Sequence, residues 1–186
     1  MGIKIQKDFV FESAIHFEGK FLINLYELTL HMEVVTDNMR EQNIAIERIN
    51  YFIANNIENH IWISKDDTKF IENYDKAGIP VLVIPEEPFD QIIGMILLLK
   101  LNAIMEEKLH ITNIIFGSKL TNNIKFDTSD EEAESLFSGK NWWNNSTTNT
   151  NYISSNSKKD KVVKLFTNNT DWNELGLSWE DLDQED

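Results

Sequence analysis

The chain predicts an α+β fold: a four-stranded antiparallel sheet with two helices on one face, followed by an irregular C-terminal extension. Three observations carry that expectation. Leu28, Leu30, Met32 and Val34 alternate with Glu27, Thr29, His31 and Glu33, the period of two that a half-buried strand requires. Ile46, Ile49, Ile53 and Ile57 recur at three- and four-residue spacing, which puts one apolar stripe on a helix. The order of segments is strand, strand, helix, helix, strand, strand, the plan of helices packed against one side of an antiparallel sheet.

Taken in order, residues 3–17 and 22–35 read as a hairpin turned at Gly19-Lys20. The helical period starts near Ile44, and Asn55, Asn56 and Asn59 weaken its end. Residues 60–64 form a short apolar stretch around Trp62, and the charged run 65–76 reads as surface. Gly78-Ile79-Pro80 opens a short buried strand over 81–84, closed by Pro85. Pro88, preceded by Glu86 and Glu87, introduces the strongest helix, from about Phe89 to Lys108. Its Ile92, Ile93, Ile96, Leu97, Leu101, Ile104 and Met105 exceed what one face needs and predict burial on two sides. Residues 111–116 and 122–126 read as a second hairpin, and Ser129-x-x-Glu132 has the spacing of a capping box before a short acidic helix. The expected organisation is a core over 1–126, an acidic and then Asn/Ser/Thr-rich linker over 127–157, and an acidic tail over 158–186.

Composition narrows the function classes. The 186 residues are 41% hydrophobic, enough for one well-buried core. The absence of cysteine removes disulfides, thiolate metal sites and cysteine nucleophiles, and fits a cytoplasmic protein. The apolar run 92–101 is broken by Gly94 and Lys100 and is too short to span a bilayer, so no membrane association is expected. A net charge of −14 argues against binding to nucleic acid or anionic lipid and favours a basic partner surface.

Aromatic residues in the acidic tail mark a candidate partner-binding surface. Trp142-Trp143 sits in an otherwise polar linker, where two adjacent tryptophans predict docking on a surface. Trp172, Leu175, Trp179 and Leu182 follow at spacings of three, four and three, an amphipathic stripe. That stripe either binds another protein or packs on its own domain. Among histidines, His31 faces the polar side of its strand, and Glu106 with His110 is a two-residue metal pair lacking a third ligand.

The string Val10-Phe11-Glu12-Ser13-Ala14-Ile15-His16, followed by Leu22-Ile23-Asn24-Leu25-Tyr26, resembles the metal-binding hairpin of the 6-pyruvoyl- and 6-carboxytetrahydropterin synthases. The resemblance implies a tunnelling fold across residues 5–126, and the two open edges of a four-stranded sheet predict a homo-oligomer assembled by pairing of sheet edges. His16 matches the first of that family's three zinc ligands, whereas Leu22 and Asn24 stand in place of the others and cannot complete a tetrahedral site. Asn59-His60 stands where the family has Asp-His, Pro88-Phe89-Asp90-Gln91 is similar to its Pro-Thr-x-Glu helix start, and Phe116-Gly117-Ser118-Lys119 lacks its pterin-anchoring Glu. These departures imply a protein without metal, cofactor or catalytic residues. A fainter similarity, of 85–94 and 100–106 to uncharacterised chains of T4-like marine tailed phages, implies a virion or host-takeover accessory. The resulting expectation is a non-enzymatic homo-oligomer that binds a protein through its tail. The alternative is a pterin- or purine-binding enzyme using His16 and His60.

Overall fold

The computed structural model describes residues 2–137 and 170–180, and the backbone of Asn151–Tyr152 and Val163–Lys164. The two alternating segments become its longest strands, β1 (Lys4–Phe17) and β2 (Lys20–Val34), paired without a register break from Lys4↔Glu33 to Phe17↔Lys20. Alternation sorts their side chains. Phe11 of β1 and Tyr26, Leu28, Leu30 and Met32 of β2 point to a common core, while Gln6, Asp8, Val10 and Glu12 face outward.

Helix α1 (Met39–Phe52) starts where the Asn38 side chain accepts from the Arg40 and Glu41 amides, and it runs into a π-helical turn over Ile53–Ile57. Strand β3 (Ile61–Ser64), helix α2 (Thr68–Lys76) and strand β4 (Val81–Ile84) follow. Helix α3 (Asp90–Met105) leads to β5 (Leu109–Ser118), β6 (Lys125–Ser129) and α4 (Asp130–Phe137). Helix α4 begins with the capping box that its spacing predicts: Glu132 accepts from the Ser129 amide at 3.0 Å, and the Ser129 hydroxyl accepts from the Glu132 amide at 3.3 Å. Helix α3 lies against β5, where Gly94 permits the contact; a Cβ there would stand 3.0 Å from the Phe116 Cβ.

The expected four-stranded antiparallel sheet is corrected to a six-stranded mixed sheet of order β4-β3-β1-β2-β5-β6. Strands β3 and β4 pair in parallel, with each other and with β1, while the rest pair antiparallel. The physical reason for the difference is local. Strand β3 is four residues long and buried at every position, so no alternation is present to read, and β4, legible as a short buried strand over 81–84, carries no sign of the parallel pairing that joins it to β3. The helices do not all share one face either. His16 and Phe11 are an odd number of residues apart on β1 and point oppositely, and α2 covers the His16 side. The run 65–76, read as bare surface, therefore contains a helix that seats Ile71 in the core. This topology replaces the tunnelling fold that the resemblance implied. Among the described residues the sheet ends in the short strands β4 and β6, with the two long strands inside.

Twelve of the sixteen α3 residues are buried, which is the two-sided burial its composition predicts. Lys100 is among them, only 2% exposed. Burial disfavours its ammonium form and lowers its pKa to about 8. The unfolded chain therefore binds the extra proton between about pH 8 and 10.5, and the Lys100 term makes stability rise with pH across that window. Urea unfolding of Lys100→Met beside the parent chain from pH 7 to 10.5 should show the parent gaining about 3 kcal/mol relative to the variant. Parallel curves would refute a proton-linked penalty at Lys100.

Candidate functional site

The outer face of the β1–β2 hairpin divides into two chemically distinct halves. Away from the turn, side chains satisfy one another: Thr29 donates to Asp8 at 2.6 Å, Lys125 lies 2.7 Å from Glu27, and Asn113 bonds Asp127. Toward the turn the face becomes apolar. Val10 is 66% exposed, Ile23 62% and Phe21 51%. Register fixes their common side, because Ile23 opposes Ala14 and Phe21 opposes His16, both in phase with Val10. Leu25 continues the row, half-buried. A signal for this patch exists in the sequence: Phe21 and Ile23 occupy positions where continued alternation would put polar residues.

Parallel pairing brings the C-terminal ends of β1, β3 and β4 to the same end of the sheet as the hairpin turn. Their loops carry Glu18, Asp66, Asp67, Glu86 and Glu87. Burial, and then the charges of Asp67, Asp66, Glu18 and Glu86, push the Glu87 carboxyl above its ordinary range. Phe89, 54% exposed, stands beside this acidic rim and packs edge-on against Phe17 with centroids 5.3 Å apart. The hairpin end thus offers exposed aromatic and aliphatic groups bordered by carboxylates.

The two histidines of the enzymatic alternative have separate partners. His16 is buried, its ring centroid 4.1 Å from that of Phe70 and its Nδ1 2.9 Å from the Tyr74 hydroxyl. His60 turns its Nδ1 to the Glu58 carbonyl at 2.9 Å, and burial lowers its pKa. Glu106 and His110 diverge as well: Glu106 meets Arg48 and Trp179, and His110 Nε2 lies 2.7 Å from Asp130. Among the described residues, no group of three or more His, Asp or Glu is arranged to hold a metal ion. None of their helices is long and apolar enough to cross a membrane.

Of the tail residues, Trp142, Trp143 and Leu182 lie outside the described residues. Trp172 and Trp179 pack on the chain's own helices, and Leu175 remains exposed. The organising side chain is Arg48 of α1, which is buried. Its Nε donates to the Leu177 carbonyl at 2.8 Å, and one terminal nitrogen donates to the Ile104 carbonyl and to Glu106 at 3.2 and 3.0 Å. Its guanidinium carbon sits 3.9 Å from the Trp179 ring centroid and 4.9 Å from that of Trp172. The Trp179 indole then donates to Glu106 at 2.9 Å. Sequence reasoning missed Arg48, although a lone arginine between Ala45 and Ile49 on an apolar helix face is a readable anomaly.

Two outcomes follow from this geometry. Arg48→Met should cost roughly 2–4 kcal/mol, because buried acceptors lose a charged donor, and should red-shift tryptophan emission before global unfolding. An unchanged spectrum with unchanged stability would dismiss the clasp. For Glu87, a raised carboxyl pKa means its contribution is full below the unfolded value and falls as pH rises through the folded one. Glu87→Gln should therefore raise Tm at pH 7, with the gain shrinking as salt screens the rim; a lowered Tm would contradict the repulsion.

No family model and no curated protein sequence matches this chain. Among solved structures, it is similar to the crystal structure of an uncharacterised protein from Wolinella succinogenes, with a TM-score of 0.53 and 13% identity. The match covers 70% of this chain and 99% of that one, and at such identity it is a likeness of fold alone.

Proposed function

We propose that this is a non-enzymatic interaction protein that docks a basic segment of another protein on the hairpin end of its sheet. The observation that carries the reading is the apolar half-face of Val10, Phe21 and Ile23, left open where the rest of the same face is tied by polar contacts. The carboxylates of Glu18, Asp66, Asp67, Glu86 and Glu87 select the partner's charge, adding specificity and on-rate to an apolar anchor. Trp172 and Trp179 are occupied by Arg48, so the partner surface expected of the tail shifts to the sheet face. The phage resemblance makes the partner a virion or host component. Self-association through the same face is disfavoured by the charge, since two copies would bring two acidic rims together.

The test pairs light scattering with affinity capture, using the full chain and an Ile23→Lys, Phe21→Lys variant. The expected result is a captured protein that, once purified, binds the parent chain more weakly as salt rises and loses at least tenfold in affinity for the variant. A parent homodimer that the variant converts to a monomer would instead assign the face to a second copy. A partner bound equally by both would remove the face from the interaction.

A further inference from the structure

Under the start of α3 lies a polar cluster that the docking reading does not use. Tyr26 and Asn24 sit two residues apart on β2, so both point to the core face, and Ser118 of β5 stands directly opposite Tyr26. Asp90, in the first turn of α3, is near enough for its charge to act on the Tyr26 phenol, and it accepts from the Thr121 hydroxyl at 2.8 Å. All four of Asn24, Tyr26, Asp90 and Ser118 are at least nine-tenths buried. Three of their polar atoms nevertheless have no protein hydrogen-bond partner of acceptable geometry: Asn24 Nδ2, the Tyr26 hydroxyl oxygen and Ser118 Oγ. Leaving even one such group unsatisfied costs about 1–3 kcal/mol, so three together in one place call for a shared partner.

The side chains cannot turn to satisfy themselves. The Tyr26 ring is stacked between Phe11 and Phe116, with centroids 5.5 and 5.2 Å away, which fixes where its hydroxyl points. Asn24 Oδ1 already accepts from the Leu120 amide at 3.2 Å, which fixes the amide orientation and leaves Nδ2 as a donor. The Ser118 carbonyl accepts from the Asn123 amide at 3.0 Å, so the strand end is pinned too. Phe89 at the helix N-cap brings no side-chain acceptor of its own.

We propose that this cluster is a built internal hydration site, holding at least one resident water between Tyr26, Asn24 and Ser118 beneath the α3 N-terminus. The bond count closes on a single molecule. Water accepts from Asn24 Nδ2 and from one hydroxyl, and donates to the other hydroxyl oxygen and to Asp90, a four-coordinate arrangement typical of buried water. A metal cation fits poorly, because the fixed Asn24 N–H would point its positive end at it. The buried phenol stays protonated: burial, reinforced by the Asp90 charge and opposed by the Asn24 amide, raises its pKa. Such a water would link β2, β5 and the first turn of α3, a three-way joint just behind Phe89 and the acidic loop.

A high-resolution crystal structure of the full chain, with thermal unfolding of Tyr26→Phe and Ser118→Ala, tests the site. The expected result is a peak refining as water within hydrogen-bond distance of all three side chains, with each variant melting about 2–4 °C lower. Absence of a peak, with Tyr26→Phe melting at the same temperature or higher, would show an orphaned hydroxyl and overturn the proposal. So would side chains bonded directly to one another, or a Tm that rises in sodium or potassium chloride over choline chloride at equal ionic strength, which would mark a cation. Should a variant fail to fold, the parent density decides alone.

Discussion

Helix α3 has almost no face it can leave in water, and the rest of the fold is arranged to cover it. Ile93, Ile96, Leu97, Leu98, Leu101, Ile104 and Met105 are all buried, each contributing about 1.5–3 kcal/mol relative to exposure. One layer cannot enclose such a helix. Strand β5 takes one side through the Gly94–Phe116 contact, while α1 and α4 pack along others. The hydrophobic content of this one segment explains why the sheet carries helices so densely on its inner face. It also explains why the strand end next to α3 collects buried polar groups: the helix must begin somewhere, and its first turn begins inside the protein.

How much of this could be read from the sequence depended on whether an element is half-buried. Strands β1 and β2 are legible because water on one side and core on the other impose alternation on residues 27–34. The same logic fails at Ile61–Ser64, where both sides are covered and burial imposes only a run of apolar residues. Helix α2 was hidden for the opposite reason. Only Ile71 of its nine residues is buried, too little to write a period. The tryptophan stripe of the tail was visible, but its destination depended on Arg48, more than a hundred residues away, and long-range pairing leaves no local trace. The candidate docking face was partly legible, since Phe21 and Ile23 violate the alternation that Glu27 to Glu33 establish.

The resemblance to the pterin synthases rests on His16, and the surroundings of that residue explain why a lone histidine is weak evidence for chemistry. A ligand or general base needs an accessible lone pair and convergent partners. His16 has an aromatic cover from α2 and a tyrosine hydroxyl on Nδ1, and His60 looks toward a backbone carbonyl instead. The order of elements departs from the expected one at β3, which pairs in parallel with β1.

Exposed apolar groups invite association with anything, including another copy, unless something restricts the choice. In the function proposed above, the restriction is electrostatic. The patch of Val10, Phe21 and Ile23 lies at the end of the sheet where three parallel strands deliver their acidic loops, and the Glu87 carboxyl is pushed above its ordinary range first by burial and then by the charges of Asp67, Asp66, Glu18 and Glu86. That repulsion is a standing cost to the free protein, and a cation brought by a partner relieves it. A neutral or acidic surface meeting the same patch gains the apolar burial but keeps the repulsion. Two copies of this chain, at a net charge of −14 each, would add to it. On the proposed function, the apolar groups supply the attraction and the carboxylates decide what uses it, which is how a small open face can be both sticky and selective.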